Sequence, residues 1–438
     1  MDERPASKKQ SVKRYAVPAI TQLVASVLVA ALGIASFKLL NPEGMALFRH
    51  LYFTPFTIAI GASSASHSYL RSLLFGQPAS EMRRAEMRSL IVVNTIASLA
   101  ILAVVFGMLT MEFGSPPILA ATAVTGAVAV FSLRFVLLCR LEFLSRYGLS
   151  IIIGNISSLL PYIAVVIYWL ANSQTLFFTG VLVLNALLGV AMLRSLNHFA
   201  PNVSWRSFLT AAPRFKFSFG KFTHIAMFTL GMALSFQGVE FLFYTVTRYE
   251  NTEIANYALA FTAAAMLRQL VNAFLQPLQK KETAASSLKI RGHQFAVPMM
   301  AETVTVAALI VACLIIPTIF NYVFPNYQEA QFLIPPLILG VLGTSVFQVY
   351  AVQFIPASRV AFLAWSQMTL AVLSMGAVWL LSDHMSLVHM AILLSLLQWL
   401  RGLVLTPLYA RAHGFHTMPS LWLVRAAGSI VLIGLAIA

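Results

Sequence analysis

Twelve apolar runs, each long enough to cross a lipid bilayer, follow one another along this chain and limit what it can fold into. Crossing the hydrocarbon takes about 20 residues at a helical rise of 1.5 Å per residue. Backbone amides in hydrocarbon find no water to bond, so the runs must be helices. They are Val17–Leu40, Ala46–Phe75, Met87–Met111, Pro117–Cys139, Gly148–Ala171, Leu176–Leu196, Phe222–Val246, Ile254–Pro277, Phe295–Phe320, Ala330–Pro356, Val360–Leu381 and Ser386–Leu408. A thirteenth, Leu421–Ala438, is short and contains Arg425, so a crossing or an interfacial helix fits it. Only 10% of the 438 residues are charged, against about 25% in soluble domains. The expected fold is an all-α polytopic membrane protein of about 12 transmembrane helices, with a possible 13th.

The net charge of +15 is spread in a pattern that argues against nucleic acid. Basic residues gather in alternate connections: Arg4, Lys8, Lys9, Lys13 and Arg14; then Arg71, Arg83, Arg84 and Arg88; then Arg140 and Arg146. The series continues with Arg194, Arg206, Arg214, Lys216 and Lys221, with Lys280, Lys281, Lys289 and Arg291, and with Arg359, Arg401 and Arg411. The intervening connections are short and acidic or neutral, carrying Glu43, Glu112, Glu250 and Glu253, Glu329, and Asp383. By the positive-inside rule the N-terminus and the basic loops are expected in the cytoplasm of a bacterial inner membrane. The first apolar run is too long, and lacks the cleavage motif, for a signal peptide. Cys139 and Cys313 lie in or beside apolar runs, so no disulfide framework is expected.

The longest connection, Asn197 to Lys221, divides the chain. The expected organisation is a basic tail (1–16), a six-helix bundle (17–196), a linker (197–221), a second six-helix bundle (222–408) and a tail with the extra segment (409–438). Six helices per half makes the halves parallel. Glu43-Gly44-Met45-Ala46-Leu47-Phe48 in the first half and Thr252-Glu253-Ile254-Ala255-Asn256-Tyr257 in the second occupy matching hairpins.

Ionisable residues inside spans are the functional candidates, because each is costly in hydrocarbon. Arg268 lies deep in the eighth span, on a polar face with Gln269, Asn272 and Gln276, and is expected to face an aqueous cavity rather than a structural ion pair. Glu240, with Gln237, sits near the outer end of the seventh span and could pair with Arg268, Arg49 or Arg248. Arg49, His50 and Lys38 lie near the same end, where reaching out to the headgroups is an even alternative to a cavity role. Arg134 is expected to reach the cytoplasmic surface, and Glu302 to reach water. His67, among Ser63, Ser64, Ser66 and Ser68, makes the inner part of span two polar, although close helix packing through small residues also accounts for it. There is no phosphate-binding Gly-rich loop, no metal-ligand spacing and no nucleophile elbow, so neither cofactor, metal nor catalytic residue is expected.

The segment Gly220 to Lys280 resembles a known pattern: a carboxylate near a helix's outer end (Glu240), a polar turn with Glu253, then Ala255-Asn256-Tyr257-Ala258 and a helix reaching Pro277. With the six-plus-six layout and Arg140-Leu141-Glu142-Phe143 after span four, it resembles polysaccharide exporters of the multidrug/oligosaccharidyl-lipid/polysaccharide (MOP) flippase superfamily, in particular the O-antigen (Wzx-type) branch. The resemblance implies a flippase moving an undecaprenyl-pyrophosphate-linked oligosaccharide to the periplasmic leaflet, with polymerase and export components as partners. It implies that Arg268 and Arg49 hold the pyrophosphate, which suits the planar, permanently charged guanidinium. Glu240 departs from the Asp more usual in that helix. A cation-coupled multidrug extruder of the same fold is the alternative, and a membrane glycan polymerase or ligase a third, disfavoured by the short external loops.

Overall fold

The structure, a computed structural model, describes residues 24–74, 98–110, 118–143, 149, 153–154, 159–171, 173–199, 219–285, 296–354, 360–413 and 419–437, apart from 25, 26, 30, 101, 104, 108 and 109. The basic tail and residues 75–97, 144–148, 200–218, 286–295 and 355–359 fall outside those residues, as do the side chains of His67, Gln269, Asn272, Gln276 and Glu302.

All described regular structure is helical, and the elements follow the expected runs. In chain order α1 is Val27–Leu39. Helix α2 comprises Pro42–Phe48, a π-helical turn Arg49–Phe53 and Thr54–Leu74. Next come α3 (Ser98–Gly107), α4 (Ile118–Phe143), α5 (Leu160–Ala171) and α6 (Gln174–Phe199). Helix α7 joins Phe219–Ala233, a π-helical turn Leu234–Gly238 and Val239–Thr245. Then follow α8 (Asn251–Ala285), α9 (Ala296–Val323), α10 (Ala330–Phe354) and α11 (Val360–Leu381). Helix α12 joins Leu387–Trp399, a third π-helical turn Leu400–Leu405 and Thr406–Ala412, and α13 is Pro419–Ile437. Among the described residues, seven stretches are long and apolar enough to cross a membrane, and four more apolar helices are shorter.

The surface inverts the pattern of a soluble protein. Leu176, Val183 and Leu187 on α6 stand exposed, as do Trp365, Val372, Trp379 and Leu380 on α11. An apolar exterior of this extent is stable only against lipid. Inside lie Glu240, Gln367, Gln398, Arg401 and Arg425, each at most 5% exposed.

Local sequence explains the helix starts near the site. Asn41 caps α2 by accepting the Gly44 N–H at 2.8 Å, and Pro42 and Glu43 fill the first turn, where a missing N–H costs nothing and an acid meets the helix dipole. This positions the π-helical turn seven residues on. The turns at Asn41, Glu250, Asn326 and Asp383 share one end of the molecule. Tyr327 donates to the Leu40 carbonyl (3.1 Å), Tyr249 to that of Met385 (2.8 Å), and Arg248 meets Asp383 at 3.5 Å. These belong to the acidic set of connections.

The packing falls into two groups with a seam between them. In the first, α2 packs on α4, α4 on α6 and α5 on α6. In the second, α10 is central and touches α8, α9, α12 and α13, while α7 packs on α11. The extra segment α13 is thus a helix docked on α9 and α10, with Trp399 of α12 donating to Ser429 at 2.8 Å. The seam is made by α2 against α7 and by the start of α2 against α8. Ala46 and Ala255, the matching positions of the two hairpins, are both buried there.

Two glycines allow a close backbone approach between α10 and the π-helical turn of α12. A Cβ on Gly343 would lie 2.5 Å from the Gln398 carbonyl oxygen, and one on Gly402 would run into the Gly343 carbonyl. Both obstacles are backbone and cannot rotate away. Gly402→Ala is therefore expected to cost about 1–3 kcal/mol through overpacking, read as a lower thermal midpoint of the detergent-purified protein. Gly376→Ala, with nothing within 4 Å of its Cβ, is expected to be neutral or to gain up to about 1 kcal/mol from helix propensity.

Candidate functional site

Arg49 and Glu240 meet across the seam. Nε of Arg49 donates to one carboxylate oxygen and Nη2 to the other at 2.7 Å, in the two-pronged geometry that makes such pairs strong. Nη1 reaches Thr262 Oγ1 on α8 at 3.3 Å. The guanidinium lies over the Phe53 ring at 4.5 Å, and Tyr244 donates to Glu240 at 3.5 Å. Arg49 is 4% exposed and Glu240 fully buried. Of the three partners open to Glu240 in the sequence, the structure selects Arg49. This also corrects the headgroup alternative for Arg49: its charge turns inward because a carboxylate waits there. His50 is buried too, stacked on Tyr244 at 5.1 Å.

Arg268 is in a different situation. Its side chain lies over Phe236 at 4.6 Å, and no carboxylate among the described residues reaches it. It lines a small, partly open cavity of about 30 Å³ between α7, α8, α10 and α12. Ser235, Thr344, Ser395 and Gln398 supply the polar lining, and Phe236, Phe261, Leu337 and Leu394 the apolar part. Thr262, the Arg49 contact, and Arg268 lie six residues apart on α8, about 9 Å along the axis. The two arginines thus border one helix, but in this conformation only Arg268 is free of an acid partner.

The other candidates divide. Lys38 is exposed, its Nζ 6.0 Å from the Phe324 ring, and does not join the cavity. Gln237 is half-buried within the π-helical turn of α7. The side chains of His67, Gln269 and Asn272 lie outside the described residues. Arg134 bends back instead of reaching outward, donating to the Gly154 carbonyl at 2.6 Å and lying over Phe131.

One residue was placed wrongly by the sequence. Arg401, counted among the cytoplasmic loop cations, is 2% exposed inside α12. It lies over the Phe347 ring at 3.8 Å and donates from Nη2 to Gln398 at 3.1 Å. The available signal was position: Arg401 stands inside the apolar run Ser386–Leu408, fifteen residues from its start, or about 22 Å along a helix. Arg425 of α13 is likewise buried, donating to the Tyr350 hydroxyl at 3.3 Å. A second signal is structural. Arg49, Gln237 and Arg401 each sit in a π-helical turn, and such turns concentrate at functional sites.

Against known proteins, no family model matches the chain and no curated protein matches its sequence. Solved structures do share its fold. The lipid II flippase MurJ in an inward closed conformation superposes with a TM-score of 0.58 at 11% identity, covering 95% of this chain and 98% of that one. A MATE protein in complex with MaL6 gives 0.55 at 12% identity, covering 98% and 97%. A MOP superfamily transporter from Pyrococcus furiosus, noted for the reverse polarity of its binding pocket, gives 0.54 at 13% identity, covering 97% and 96%. The chain therefore has the fold of the MOP superfamily transporters and is a multi-pass membrane protein. Its structural neighbours are transporters and flippases, not enzymes.

Breaking the seam pair from one side leaves a buried charge uncompensated. Glu240→Ala is expected to destabilise by about 3–5 kcal/mol, and the uncharged pair Arg49→Met with Glu240→Leu to recover most of that loss. Thermal unfolding of the purified variants checks this; additive single effects would mean the two groups are not coupled.

Proposed function

We propose that the protein is a flippase for an undecaprenyl-pyrophosphate-linked oligosaccharide, an O-antigen or exopolysaccharide repeat unit, carried from the cytoplasmic to the periplasmic leaflet. The observation that carries the reading is Arg268: a guanidinium in the membrane interior, facing a cavity, with no carboxylate partner among the described residues. Such a charge is costly unless an anion comes to it, and a pyrophosphate headgroup is an anion that matches the guanidinium donors. The shared fold with a lipid II flippase supports the same class of cargo.

The cycle follows from the seam. With Arg49 held by Glu240, the halves are joined at the end that carries the acidic turns; the cavity at Arg268, about 30 Å³ in this conformation, widens to receive the headgroup when the other end opens. Arg49 becomes available to the phosphates when Glu240 releases it, which is also when that end can part. Substrate binding and opening then draw on the same guanidinium, as alternating access requires. Glycosyltransferases, a polymerase and export components are the expected partners of such a flippase.

A cation-coupled multidrug extruder is the second reading, favoured by the shared MATE fold. Against it, Glu240, the buried carboxylate of the described residues, is already taken by Arg49. The test is surface-glycan export in a deletion strain carrying variants. Arg268→Ala is expected to lower export by about 10- to 100-fold, the loss of one charge-assisted hydrogen bond of about 1.5–3 kcal/mol, with Arg268→Lys intermediate. Unchanged export in both variants, together with new drug sensitivity in the deletion strain, would favour the extruder.

A further inference from the structure

The end of the molecule that carries the acidic turns holds a second and larger cavity. It is open, about 420 Å³, and lies between the start of α8 and the connection from α9 to α10. Glu250 and Glu253 line one side and Glu329 the other, and no lysine or arginine lines it. Nearby cations are engaged elsewhere: Arg248 meets Asp383 at 3.5 Å, and Lys38 faces the Phe324 ring. Three acids alone would make only a solvated rim, and Asn256 argues for more. It forms part of the wall, is 5% exposed, and donates from Nδ2 to the Thr252 carbonyl one turn back at 3.0 Å. Its Oδ1 accepts from no described residue. A buried amide oxygen is ordinarily bonded, and the charged neighbours of this one are all acceptors. A small turn about the terminal amide torsion, which is broad for asparagine, presents Oδ1 to a donor in the cavity.

We propose that this cavity binds a linear organic polycation, a polyamine with protonated amines spaced along its chain. The distribution of acceptors decides against a single metal ion. No three acidic side chains among the described residues converge as metal ligands must, and the open volume far exceeds one ion. Glu250, Glu253 and Asn256 instead follow one another at three-residue intervals along the start of α8, about 4.5 Å of rise each, with Glu329 on the opposite wall. A chain of ammonium groups matches acceptors set out in a row, and a point charge does not. Glu253 keeps a structural task as well: its Oε2 accepts the Glu250 N–H at 2.9 Å and caps the helix, which leaves Oε1 for a ligand. Glu250 receives only a long bond from the Thr252 hydroxyl, at 3.4 Å. The connection that carries Glu329 also carries Tyr327, bonded to the Leu40 carbonyl, so an occupant joining it to α8 braces the end where α2 meets α8. The site rests on these acceptors and not on what Arg268 receives, and so stands apart from the transport reading.

The experiment uses the full-length protein in an uncharged maltoside detergent, titrated at constant ionic strength with spermidine, n-butylamine, calcium chloride or magnesium chloride. A ligand that binds only the folded state raises the thermal midpoint. Spermidine is expected to raise it saturably by roughly 2–4 °C, with n-butylamine inert and the two metals weaker. Glu250→Gln, Glu253→Gln and Glu329→Gln together are expected to abolish the rise, and a glutamine at 253 still accepts the capping bond. Asp383→Asn, at the same end but outside the cavity, is expected to leave the rise intact. Asn256→Leu is expected to weaken spermidine binding about tenfold, the loss of one hydrogen bond. A midpoint indifferent to spermidine, an equal or larger rise with calcium or magnesium, or a rise retained in the triple variant would overturn the proposal. If the triple variant does not fold, equilibrium dialysis of labelled spermidine decides, comparing the unaltered protein with the exposed Glu329→Gln alone. One saturable site per chain, weakened in that variant, supports the proposal; no such site, or one of unchanged affinity, refutes it.

Discussion

A guanidinium and a carboxylate, 191 residues apart in sequence, face each other across the seam, the first donating two hydrogen bonds to the second. Almost everything else about the interior depends on Arg49 and Glu240 having found one another. Each alone would be an uncompensated charge in hydrocarbon, whereas together they are a neutral, directional clasp between α2 and α7. Such a clasp contributes modest net stability, because desolvation offsets much of its attraction, but it has only one good geometry. It therefore sets the register of one half against the other, in a seam where apolar contact alone would permit sliding. It also leaves Arg268 without a carboxylate, since the acid that might have neutralised it is occupied.

The helices were legible because the solvent dictates them. An apolar run of about 20 residues in lipid has no alternative to a helix, and the described elements from Val27 to Ile437 follow the runs. The grouping of the turns at Asn41, Glu250, Asn326 and Asp383 was legible from the charge that these connections share. The pairing of Arg49 was not legible. A local sequence offers Glu240 several cations, and the choice depends on how two distant helices meet. Arg401 was misread because a tally of cations by connection ignores depth: a charge two-thirds of the way down a helix looks like a charge beyond its end. Packing decided that case, through Phe347 and the glycines that draw α10 and α12 together.

The second half of the molecule has a chemical bias that no single residue reveals. Beside the cavity that Arg268 and Gln398 line, Arg401 adds a buried guanidinium, and Gln398 Oε1 is already engaged by Arg401 and Thr344. The buried cation of the first half, Arg49, is by contrast neutralised by a carboxylate that the second half lends it across the seam. The asymmetry suits a protein whose cargo is negative, and it is a property of the arrangement, because the sequence distributes Arg268, Gln398 and Arg401 over two separate helices, α8 and α12.

The π-helical turns have a mechanical consequence. A π turn loosens the hydrogen-bond ladder of its helix, so it is where that helix bends most readily. In α2 and α12 the loosened turn carries a buried arginine, and in α7 it ends one residue before the helix turn that holds Glu240. Flexing and charge displacement are then a single motion. A unit charge moved across the whole membrane field exchanges about 2.3 kcal/mol with the potential per 100 mV, so a bend that carried Arg401 along the membrane normal would exchange with the potential the fraction of the field it crossed, whereas Arg49 would do so only when parted from Glu240.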